Sequence, residues 1–469
     1  MTNSQTIQSS PSKPRTEFWT KILPKLTLGL LLVVFTLYSV FLALNLRSGS
    51  VPDEGYRFGV SQAFAETWGI PAEIPLTHTT GEEAHRNPFM GYWIFGRALN
   101  VINLINPVST DWQELVALRI VNVIFALGAV IVTYLISKEI IQNKWLQLLP
   151  VFMLTNTLMF VFLSGGVSYD NPTNFFSALG IYFFIRALKN KEFVLNSLAW
   201  ITSIAFGALI KHTVLPLAAA MFVIWLIFAI KHRKEIPWTK PDKKVLFYGL
   251  LLLLLVVLGL NVYLYGVNLI KFQSLRPSCF DTFSTEICDA SVFVIRAREL
   301  GLPQKLTLVE AFKQGFPDPI RFVFDIWIRE MLKRVFGIMG GVDNYFPINV
   351  TYFHIALYWI ALLGFRYLKK IPNLVKGLFF IFAFYALVLI YTNYNSELAY
   401  GFYKYVALQG RYIFPVIGIA FVLSTFVIEQ VKNKFLKYST LAALVILFFY
   451  SGPIRFILYH DTIFSSWFV

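Results

Sequence analysis

The chain has 469 residues, of which 57% are hydrophobic and only 14% are charged. Because a soluble domain carries about 25% charged residues, this composition excludes an ordinary soluble protein and predicts one built for a lipid bilayer. The net charge is +15, yet more than half of the 41 Lys and Arg residues fall in the N-terminal segment and in short loops on one side of the predicted spans. That distribution follows the positive-inside rule, so we expect membrane lipids as partners and no nucleic acid.

Stretches without Asp, Glu, Lys or Arg predict the membrane-spanning helices, since a bilayer span needs about 20 apolar residues. The first follows a polar, basic N-terminal segment, and no small-residue cleavage site comes after it, so we expect a retained helix and not a removed signal peptide. The predicted fold class is an all-α integral membrane protein, with one transmembrane domain over residues 1–469. The eleven predicted spans cover residues 26–46, 120–137, 145–169, 171–185, 193–210, 213–230, 245–270, 344–365, 377–396, 412–428 and 438–454.

The loops between these spans predict the orientation of the chain. Alternate loops are basic, namely SKEIIQNK, RALKNKE, KHRKEIPWTKPDKK, RYLKKIPNLVK and VKNKFLK. Such loops stay on the cytoplasmic side, which places the N-terminus inside and two large segments, 47–112 and 271–343, outside. We therefore expect a multi-pass protein of the cytoplasmic membrane.

Each outer segment contains an aromatic stretch suited to the membrane interface. NPFMGYWIFGRALNVINLINP begins and ends near proline, and RFVFDIWIREMLKRVF mixes apolar with basic residues, so both predict helices lying along the surface. The only two cysteines, Cys279 and Cys288, fall in the second outer segment. In an oxidising compartment they can pair, but the sequence leaves the disulfide open.

Ionisable residues from distant parts of the chain converge on the predicted outer ends of the spans. Carboxylates there can accept a proton from a hydroxyl or hold a divalent metal, and cations can bind a phosphate. The mixture suits transfer from a lipid phosphate to an acceptor, although the need for a metal stays open. These residues are Asp53, Glu54, Arg86, Arg119, Asp170, Lys211 and Arg411.

Each of these residues also has a simpler explanation. Asp53 and Glu54 can be solvated acids after a helix, and Arg86 a snorkelling anchor. Lys211 lies in a tight turn between two spans, where a topological role is as good an explanation as a phosphate contact. Asp170 can interact with a helix dipole, and Arg411 with lipid headgroups.

Three motifs resemble the GT-C-fold glycosyltransferases. The first two are closest to the protein O-mannosyltransferase and aminoarabinose transferase group, and the third resembles a motif of related bacterial membrane proteins in the same superfamily. PDEGYRF follows the first span, HRNPFMGYWIFGRAL lies in the first outer segment, and LQGRYIFPVIG begins a late span. The resemblance implies a polyprenyl-phosphate sugar donor and an inverting transfer at the outer face. It implies that Asp53 is the catalytic carboxylate with Glu54 beside it, and that Arg86 binds the carrier phosphate. This chain has HRNPF where the family has a lysine followed by two prolines.

The predicted function is therefore a glycosyltransferase that moves a sugar from a polyprenyl-phosphate carrier to an unidentified acceptor. Asp53 and Glu54 are the candidate catalytic residues, and the late motif adds Arg411 and Tyr412 to the candidate substrate-binding residues. A transporter or flippase for lipid-linked sugars is the main alternative. Transporters place ionisable residues near the middle of the bilayer, whereas this sequence has almost none there. A polysaccharide polymerase or ligase is the second alternative.

Overall fold

The computed structural model describes residues 22–107, 110–236, 243–299, 308–341, 343–348, 350–399, 402, 405, 407–458 and 465–469. The predicted basic N-terminal segment up to residue 21 lies outside them. The described part is almost entirely helical, and its one sheet is a two-stranded hairpin. This confirms the predicted all-α membrane fold.

The helices are numbered here in chain order. The first half contains α1 Leu23–Asn45, α2 Glu54–Ala65, α3 Pro75–His78, α4 Met90–Ile105, α5 Asp111–Ile140, α6 Leu149–Thr155, α7 Leu158–Ser164, α8 Asp170–Leu188, α9 Phe193–Ile210, α10 Leu215–Lys231 and α11 Lys244–Asn261. The second half contains α12 Val267–Phe272, α13 Cys279–Thr282, α14 Thr285–Asp289, α15 Val292–Glu299, α16 Leu308–Lys313, α17 Pro319–Arg321, α18 Ile328–Phe336, α19 Val350–Phe365, α20 Asn373–Ala399, α21 Phe414–Gln430, α22 Lys434–Ser451 and α23 Pro453–Leu458.

Shorter elements connect or extend these helices. Single turns of 3₁₀ helix cover Leu146–Leu148, His212–Val214, Leu368–Lys370, Gly410–Ile413 and Ser465–Trp467, and π-helical turns cover Val262–Gly266 and Phe322–Trp327. The hairpin pairs β1 (Ile338–Met339) antiparallel with β2 (Asn344–Tyr345).

Eight helices of the described residues are long and apolar enough to cross a membrane, and a bent pair makes nine. The bent pair and two further helices account for the remaining three predicted spans. The first of these two, α8, opens with the polar sequence DNPTN, and the second, α19, has 16 residues. Each predicted span thus contains a helix, although the one predicted over 344–365 begins only at Val350.

The continuous helix predicted over 145–169 is broken in the structure. The structure divides it into the helix pair Leu146–Thr155 and Leu158–Ser164, bent by 63°. At the bend, the side chains of Asn156 and Thr157 donate to the carbonyl oxygens of Phe152 and Met153, each four residues earlier. Such local bonds give the backbone an alternative to the helical ladder, and charge-free stretches do not reveal them.

Contacts between chain-distant residues define two ends of the bundle. At one end Glu139 pairs with Lys189 at 2.9 Å, and Glu429 accepts the backbone N–H of Asn143 at 2.7 Å. These residues belong to the basic loops or border them. At the other end, the residues that follow α1 meet the starts of α8 and of the 3₁₀ turn that precedes α21. That second end is called the site end below.

The predicted interfacial helix in the first outer segment corresponds to α4. It begins two residues after Pro88 and ends two residues before Pro107. Towards its C-terminal end Val101, Leu104 and Ile105 are all exposed, Leu104 by 84%. An exposed apolar stripe of this kind is typical of a helix that lies against lipid.

Candidate active site

Asp53 lies at the site end with its carboxylate accessible. It directly precedes α2 and has φ 61° and ψ 13°. This left-handed region is uncommon for residues other than glycine, although Asp and Asn enter it more readily than most. The Asp53 side chain is 53% exposed, so a substrate can reach it.

Five charged side chains form the ionic network around Asp53. Asp53 Oδ2 lies 2.6 Å from Arg411 Nη2 and 3.2 Å from Arg57 Nη2. Both arginines also face Asp170, with each Nη1 3.6 Å from Asp170 Oδ2. Lys211 Nζ donates to the other oxygen of Asp170. Except for Asp53, all members of the ionic network are buried.

The ionic network has more positive charge and more hydrogen-bond donors than its own carboxylates use. Three cations face two carboxylates, which leaves a net charge of one positive unit. Arg57 Nε, Arg411 Nε and Arg411 Nη1 are buried and donate no hydrogen bond to any described residue. Buried donors without acceptors are costly, and guanidinium groups match phosphate oxygens in charge and geometry. The arrangement therefore suits a bound anion.

The charge state of Asp53 follows from its neighbours. Burial acts to raise its pKa, but the guanidinium groups of Arg411 and Arg57 outweigh burial and hold the pKa of this carboxyl below its usual value. Asp53 is therefore ionised at neutral pH and can accept both hydrogen bonds and protons.

Two tyrosine rings border the cations of the ionic network. The Arg57 guanidinium lies 4.2 Å from the centre of the Tyr169 ring, and Lys211 Nζ lies 4.7 Å from the centre of the Tyr412 ring. Such cation–π contacts stabilise a cation where water is scarce. Tyr412 thus lies beside two of the predicted substrate-binding residues, Lys211 and Arg411.

Glu54 points away from Asp53 and into the protein. Arg119 Nε and Nη2 donate to its two oxygens at 2.8 and 2.7 Å, and both side chains have no exposed surface. The carboxylate also accepts the backbone N–H groups of Val167 at 2.9 Å and Gly49 at 3.1 Å. Arg119 in turn donates to the carbonyl oxygens at the end of α1. This pair joins α1, α2, α5 and the start of α8.

Arg119→Ala is expected to lower the thermal stability strongly, because it leaves the Glu54 carboxylate buried and unpaired. Breaking a buried pair costs about 3–5 kcal/mol. Glu139→Gln, at the opposite end of the bundle, disrupts an ion pair with more exposed partners and is expected to cost about 1 kcal/mol or less. Thermal unfolding in detergent compares the two variants. If both variants lowered the unfolding temperature by the same small amount, the Glu54–Arg119 pair would not support the fold.

The backbone next to Arg411 packs closely against α18, because Gly410 contacts the backbone of Arg334. A Cβ atom on Gly410 would lie 2.3 Å from the backbone carbonyl of Arg334, so only glycine permits this approach. The Arg334 side chain donates to the carbonyl oxygens of Tyr405 and Leu408, and Glu397 accepts the backbone N–H of Ala407 at 2.7 Å. The residues that lead into Arg411 are therefore fixed from α18 and α20.

Arg86 lies apart from the ionic network. Its Nε is 3.5 Å from Glu83 Oε2, and its backbone carbonyl accepts a hydrogen bond from Asn268. Among the described residues, no hydrogen bond or ion pair joins Arg86 to the ionic network, and its Nη1 is buried without a hydrogen-bond partner there. The structure thus brings Asp53, Lys211, Arg411 and Tyr412 together, but not Arg86.

Arg57 is the network member that the sequence did not single out. It lies one helical turn after Asp53, where a side chain four residues on shares the same helix face. That spacing was the available signal. Asp170 was predicted among the ionisable residues at the outer ends of the spans, with a helix dipole as the simpler explanation. Its ion pairs with three cations depend on how α8 packs against α2, the residue after α9 and the turn before α21.

A disulfide closes a short loop of the second outer segment, and contacts next to it join this segment to the first. Cys279 and Cys288 are bonded, and the sequence had left this pairing open. Next to the bridge, Arg276 lies 2.8 Å from Glu82, and Val292 N–H donates to the Thr79 carbonyl at 2.9 Å. The two outer segments therefore form one surface at the site end.

The described residues contain no group of three or more His, Cys, Asp or Glu side chains arranged to hold a metal. Within the ionic network, arginine and lysine already accompany both carboxylates. These groups can bind an anion and accept a proton through the protein's own side chains.

The fold and the site define a multi-span membrane protein with a cation-rich ionic network and an accessible carboxylate at one end of its helical bundle. Residues 89–276, less than half of the chain, match the family described as dolichyl-phosphate-mannose-protein mannosyltransferase. The match confirms the predicted resemblance over this segment. It includes Asp170 and Lys211, whereas Asp53, Arg57 and Arg411 lie outside it.

Solved structures with a similar arrangement share little sequence with this chain. The oligosaccharyltransferase AglB from Archaeoglobus fulgidus, solved with an inhibitory peptide and a dolichol-phosphate, is 14% identical, with 91% of this chain and 55% of that chain covered and a TM-score of 0.46. ArnT from Cupriavidus metallidurans, bound to undecaprenyl phosphate, is 13% identical, with 90% and 63% covered and a TM-score of 0.48.

The protein O-mannosyltransferase Pmt1-Pmt2 complex of S. cerevisiae, bound to the sugar donor, is 17% identical, with 53% of this chain and 34% of that chain covered and a TM-score of 0.36. The chain thus spans less than two thirds of the length of each of these proteins. A search of curated protein sequences finds no match.

Proposed function

We propose that this protein is a membrane glycosyltransferase that moves a sugar from a polyprenyl-phosphate carrier to an acceptor at the outer face of the cytoplasmic membrane. The observation that carries the proposal is the ionic network. It places buried guanidinium donors without acceptors beside an exposed, ionised carboxylate. A sugar phosphate presents an anion and a reactive carbon next to each other, which is the combination that these groups complement.

In the proposed reaction, Asp53 accepts the proton of the acceptor hydroxyl or amine as the acceptor atom bonds to the anomeric carbon of the sugar. The bond from that carbon to the phosphate oxygen breaks, and the electron pair leaves with the phosphate. Arg411, Arg57 and Lys211 stabilise the charge that develops on the leaving phosphate. A single displacement of this kind inverts the anomeric centre, as the family resemblance implies.

Donor binding would also adjust Asp53 for its proposed role. The pKa of Asp53 lies below its usual value because Arg411 and Arg57 oppose the effect of burial. A phosphate anion beside the same arginines offsets their charge and moves the pKa of Asp53 upward. The carboxylate therefore becomes a better base when the donor is in place.

We assign Glu54 a positioning role in this reaction, since both its oxygens are bound to Arg119 and it has no exposed surface. Arg86 remains a predicted phosphate ligand on the family resemblance, at a position that the ionic network does not reach. Family members that use dolichyl-phosphate-mannose and the polyprenyl-phosphate bound in ArnT support the class of donor.

Two observations support an outward orientation of the site end. The basic loops lie at the opposite end, as the positive-inside rule requires for the cytoplasmic side, and the Cys279–Cys288 disulfide belongs to the site end. Disulfides persist mainly in oxidising compartments outside the cytoplasm.

The direct test of the proposed function is donor turnover by the purified full chain in lipid vesicles. Polyprenyl-phosphate sugars that carry different radiolabelled sugars are supplied, and release of the free polyprenyl phosphate is measured with a mixture of envelope acceptors. We expect release with at least one sugar and transfer of the label to an acceptor. Movement of intact donor across the bilayer without release would favour the flippase alternative.

The orientation predicts which engineered cysteines react from outside. Thr79 is exposed at the site end and Lys434 is exposed at the opposite end, while both native cysteines are occupied in the disulfide. We expect Thr79→Cys, but not Lys434→Cys, to react with a membrane-impermeant maleimide in intact cells. The reverse pattern would place the site in the cytoplasm.

A further inference from the structure

The residues that carry Asp53 are held by parts of the chain more than 280 positions away. Residues 46–53, called the Asp53 loop below, connect α1 with α2. Within the loop Leu46, Ser50 and Val51 are buried, and Asp53 has a positive φ. A left-handed non-glycine residue persists only where the surrounding structure determines the backbone, so the contacts on this loop have functional consequences.

One side of the Asp53 loop pairs with residues 467–469. Arg47 N–H donates to the Trp467 carbonyl at 2.7 Å, and Ser50 Oγ donates to the same carbonyl at 3.2 Å. Leu46 and Phe468 form an antiparallel bridge, and Val469 N–H donates to the Asn45 carbonyl at 2.8 Å.

The Trp467 side chain anchors this pairing in the core. It has no exposed surface, and its ring lies 5.4 Å from Phe162 and 5.7 Å from Phe456 between ring centres. Burying an aromatic side chain of this size is among the larger single contributions to local stability. The ring therefore holds the backbone carbonyl that the Asp53 loop binds.

The hairpin of β1 and β2 closes the other side of the loop. Gly341 N–H donates to the Ser50 carbonyl at 2.8 Å. A Cβ atom on Gly341 would lie 2.2 Å from the Gly49 carbonyl oxygen, so the two backbones are in direct contact. Gly49 N–H donates in turn to Glu54, and the loop is fixed between the hairpin, Trp467 and the Glu54–Arg119 pair.

We propose that Trp467 is a positioning residue for sugar transfer, which sets the place of the Asp53 carboxylate through the backbone of the Asp53 loop. The inference rests on the proposed catalytic role of Asp53. Lys211 and Arg411 lie on other elements, and their ion pairs are with Asp170 and Asp53. Loss of the Trp467 ring therefore shifts the base while it leaves most of the phosphate contacts in place.

The test compares Trp467→Ala with Trp467→Phe in the full chain. A displacement of about 1 Å at a reacting group costs about 100-fold in rate, so we expect kcat to fall at least tenfold in Trp467→Ala, with KM for the donor within about threefold of the parent. Trp467→Phe, which keeps an aromatic ring in the core, is expected to recover most of kcat. Ser50→Ala removes one bond to the Trp467 carbonyl and serves as a milder variant if Trp467→Ala does not fold.

Phe184→Ala is the matched control, since Phe184 is an equally buried aromatic residue in the hydrophobic core between α5, α8 and α9. We expect it to lower thermal stability to a similar degree without changing kcat, measured well below the unfolding temperature. Limited trypsin digestion gives a readout without activity, because Arg47 is exposed within the Asp53 loop. Cleavage after Arg47 is expected to increase in Trp467→Ala but not in Phe184→Ala.

Parent-like kcat and parent-like protection of Arg47 in Trp467→Ala would overturn the inference. The inference would also be overturned if kcat and the protection of Arg47 changed equally in Trp467→Ala and Phe184→Ala, because Trp467 would then only stabilise the fold. If Asp53→Asn retains turnover, the proposed function fails instead, and the digestion at Arg47 still decides whether Trp467 holds the loop.

Discussion

Asp53→Asn is expected to reduce sugar transfer by about 10² to 10⁴, the range that a positioned base contributes. Asparagine has the same shape and also enters the left-handed backbone region readily, so the φ of 61° at this position is preserved. The amide cannot accept the proton of the acceptor. Folding and membrane insertion are therefore expected to survive while turnover falls.

The measurement is turnover of purified Asp53→Asn with a polyprenyl-phosphate sugar at matched amounts of folded protein. Glu66→Gln is the control, because Glu66 is an exposed acid at the other end of the same helix, α2, and should retain parent activity. Glu54→Gln weakens the pair with Arg119 and is expected to reduce stability more than it reduces the rate per folded molecule. Turnover of Asp53→Asn close to that of the parent would make Asp53 a solvated acid and refute its catalytic role.

The pH dependence of the parent provides a second check on Asp53. Its pKa lies below the usual value because Arg411 and Arg57 outweigh burial. The ionised form that accepts the proton is present above this pKa and is lost as the pH falls through it. We therefore expect no loss of activity from protonation of Asp53 in the free enzyme between about pH 5 and pH 8, measured as kcat/KM for the donor.

Arg411→Ala is expected to have the second large effect, on the use of the donor. A charge-assisted hydrogen bond to phosphate is worth about 1.5–3 kcal/mol, which corresponds to a loss of about tenfold or more in kcat/KM. Arg411 also lies 2.6 Å from Asp53 and faces Asp170. Its removal therefore takes one positive partner away from each of the two carboxylates. Arg411→Lys keeps the charge without the fork of donors and is expected to recover activity only in part.

Arg298→Ala controls for the loss of a positive charge in the outer segments, since Arg298 is exposed and pairs with Asp289. It is expected to use the donor as well as the parent does. Arg86→Ala tests the remaining prediction from the family resemblance, which is also a loss of about tenfold or more. If Arg411→Ala matches the parent and Arg86→Ala does not, the phosphate binds at Arg86 and not in the ionic network.

The order and type of the elements could be predicted from the sequence, because hydropathy over about 20 residues is a local property. Every predicted span contains a helix, and α4 lies within the stretch predicted for it between two prolines. The break at Asn156 and Thr157 was missed because it depends on side-chain hydrogen bonds within an otherwise apolar run.

The candidate site could be predicted only as a set of ionisable residues that share one end of the spans. Asp53, Lys211 and Arg411 meet there in the structure. Arg86 does not join them, because its neighbourhood is set by Glu83 and Asn268 in the outer segments. A sequence motif identifies which residue stands at a position. The residues that this side chain contacts depend on how distant segments of the chain pack together.

The sequence by itself determined that this protein is a helical membrane protein with charged residues of both signs at one end of its spans. Only the tertiary structure decided what the adjacent acids Asp53 and Glu54 do. Asp53 adopts a left-handed backbone and its exposed carboxylate pairs with Arg411, whereas Glu54 begins a helix and points into a buried pair with Arg119. Consecutive side chains at a helix start point in different directions. Their partners include Arg119 of α5 and Arg411 of the turn before α21, both far along the chain from them. Electrostatic partners are therefore set by packing, which a pattern of neighbouring residues does not encode.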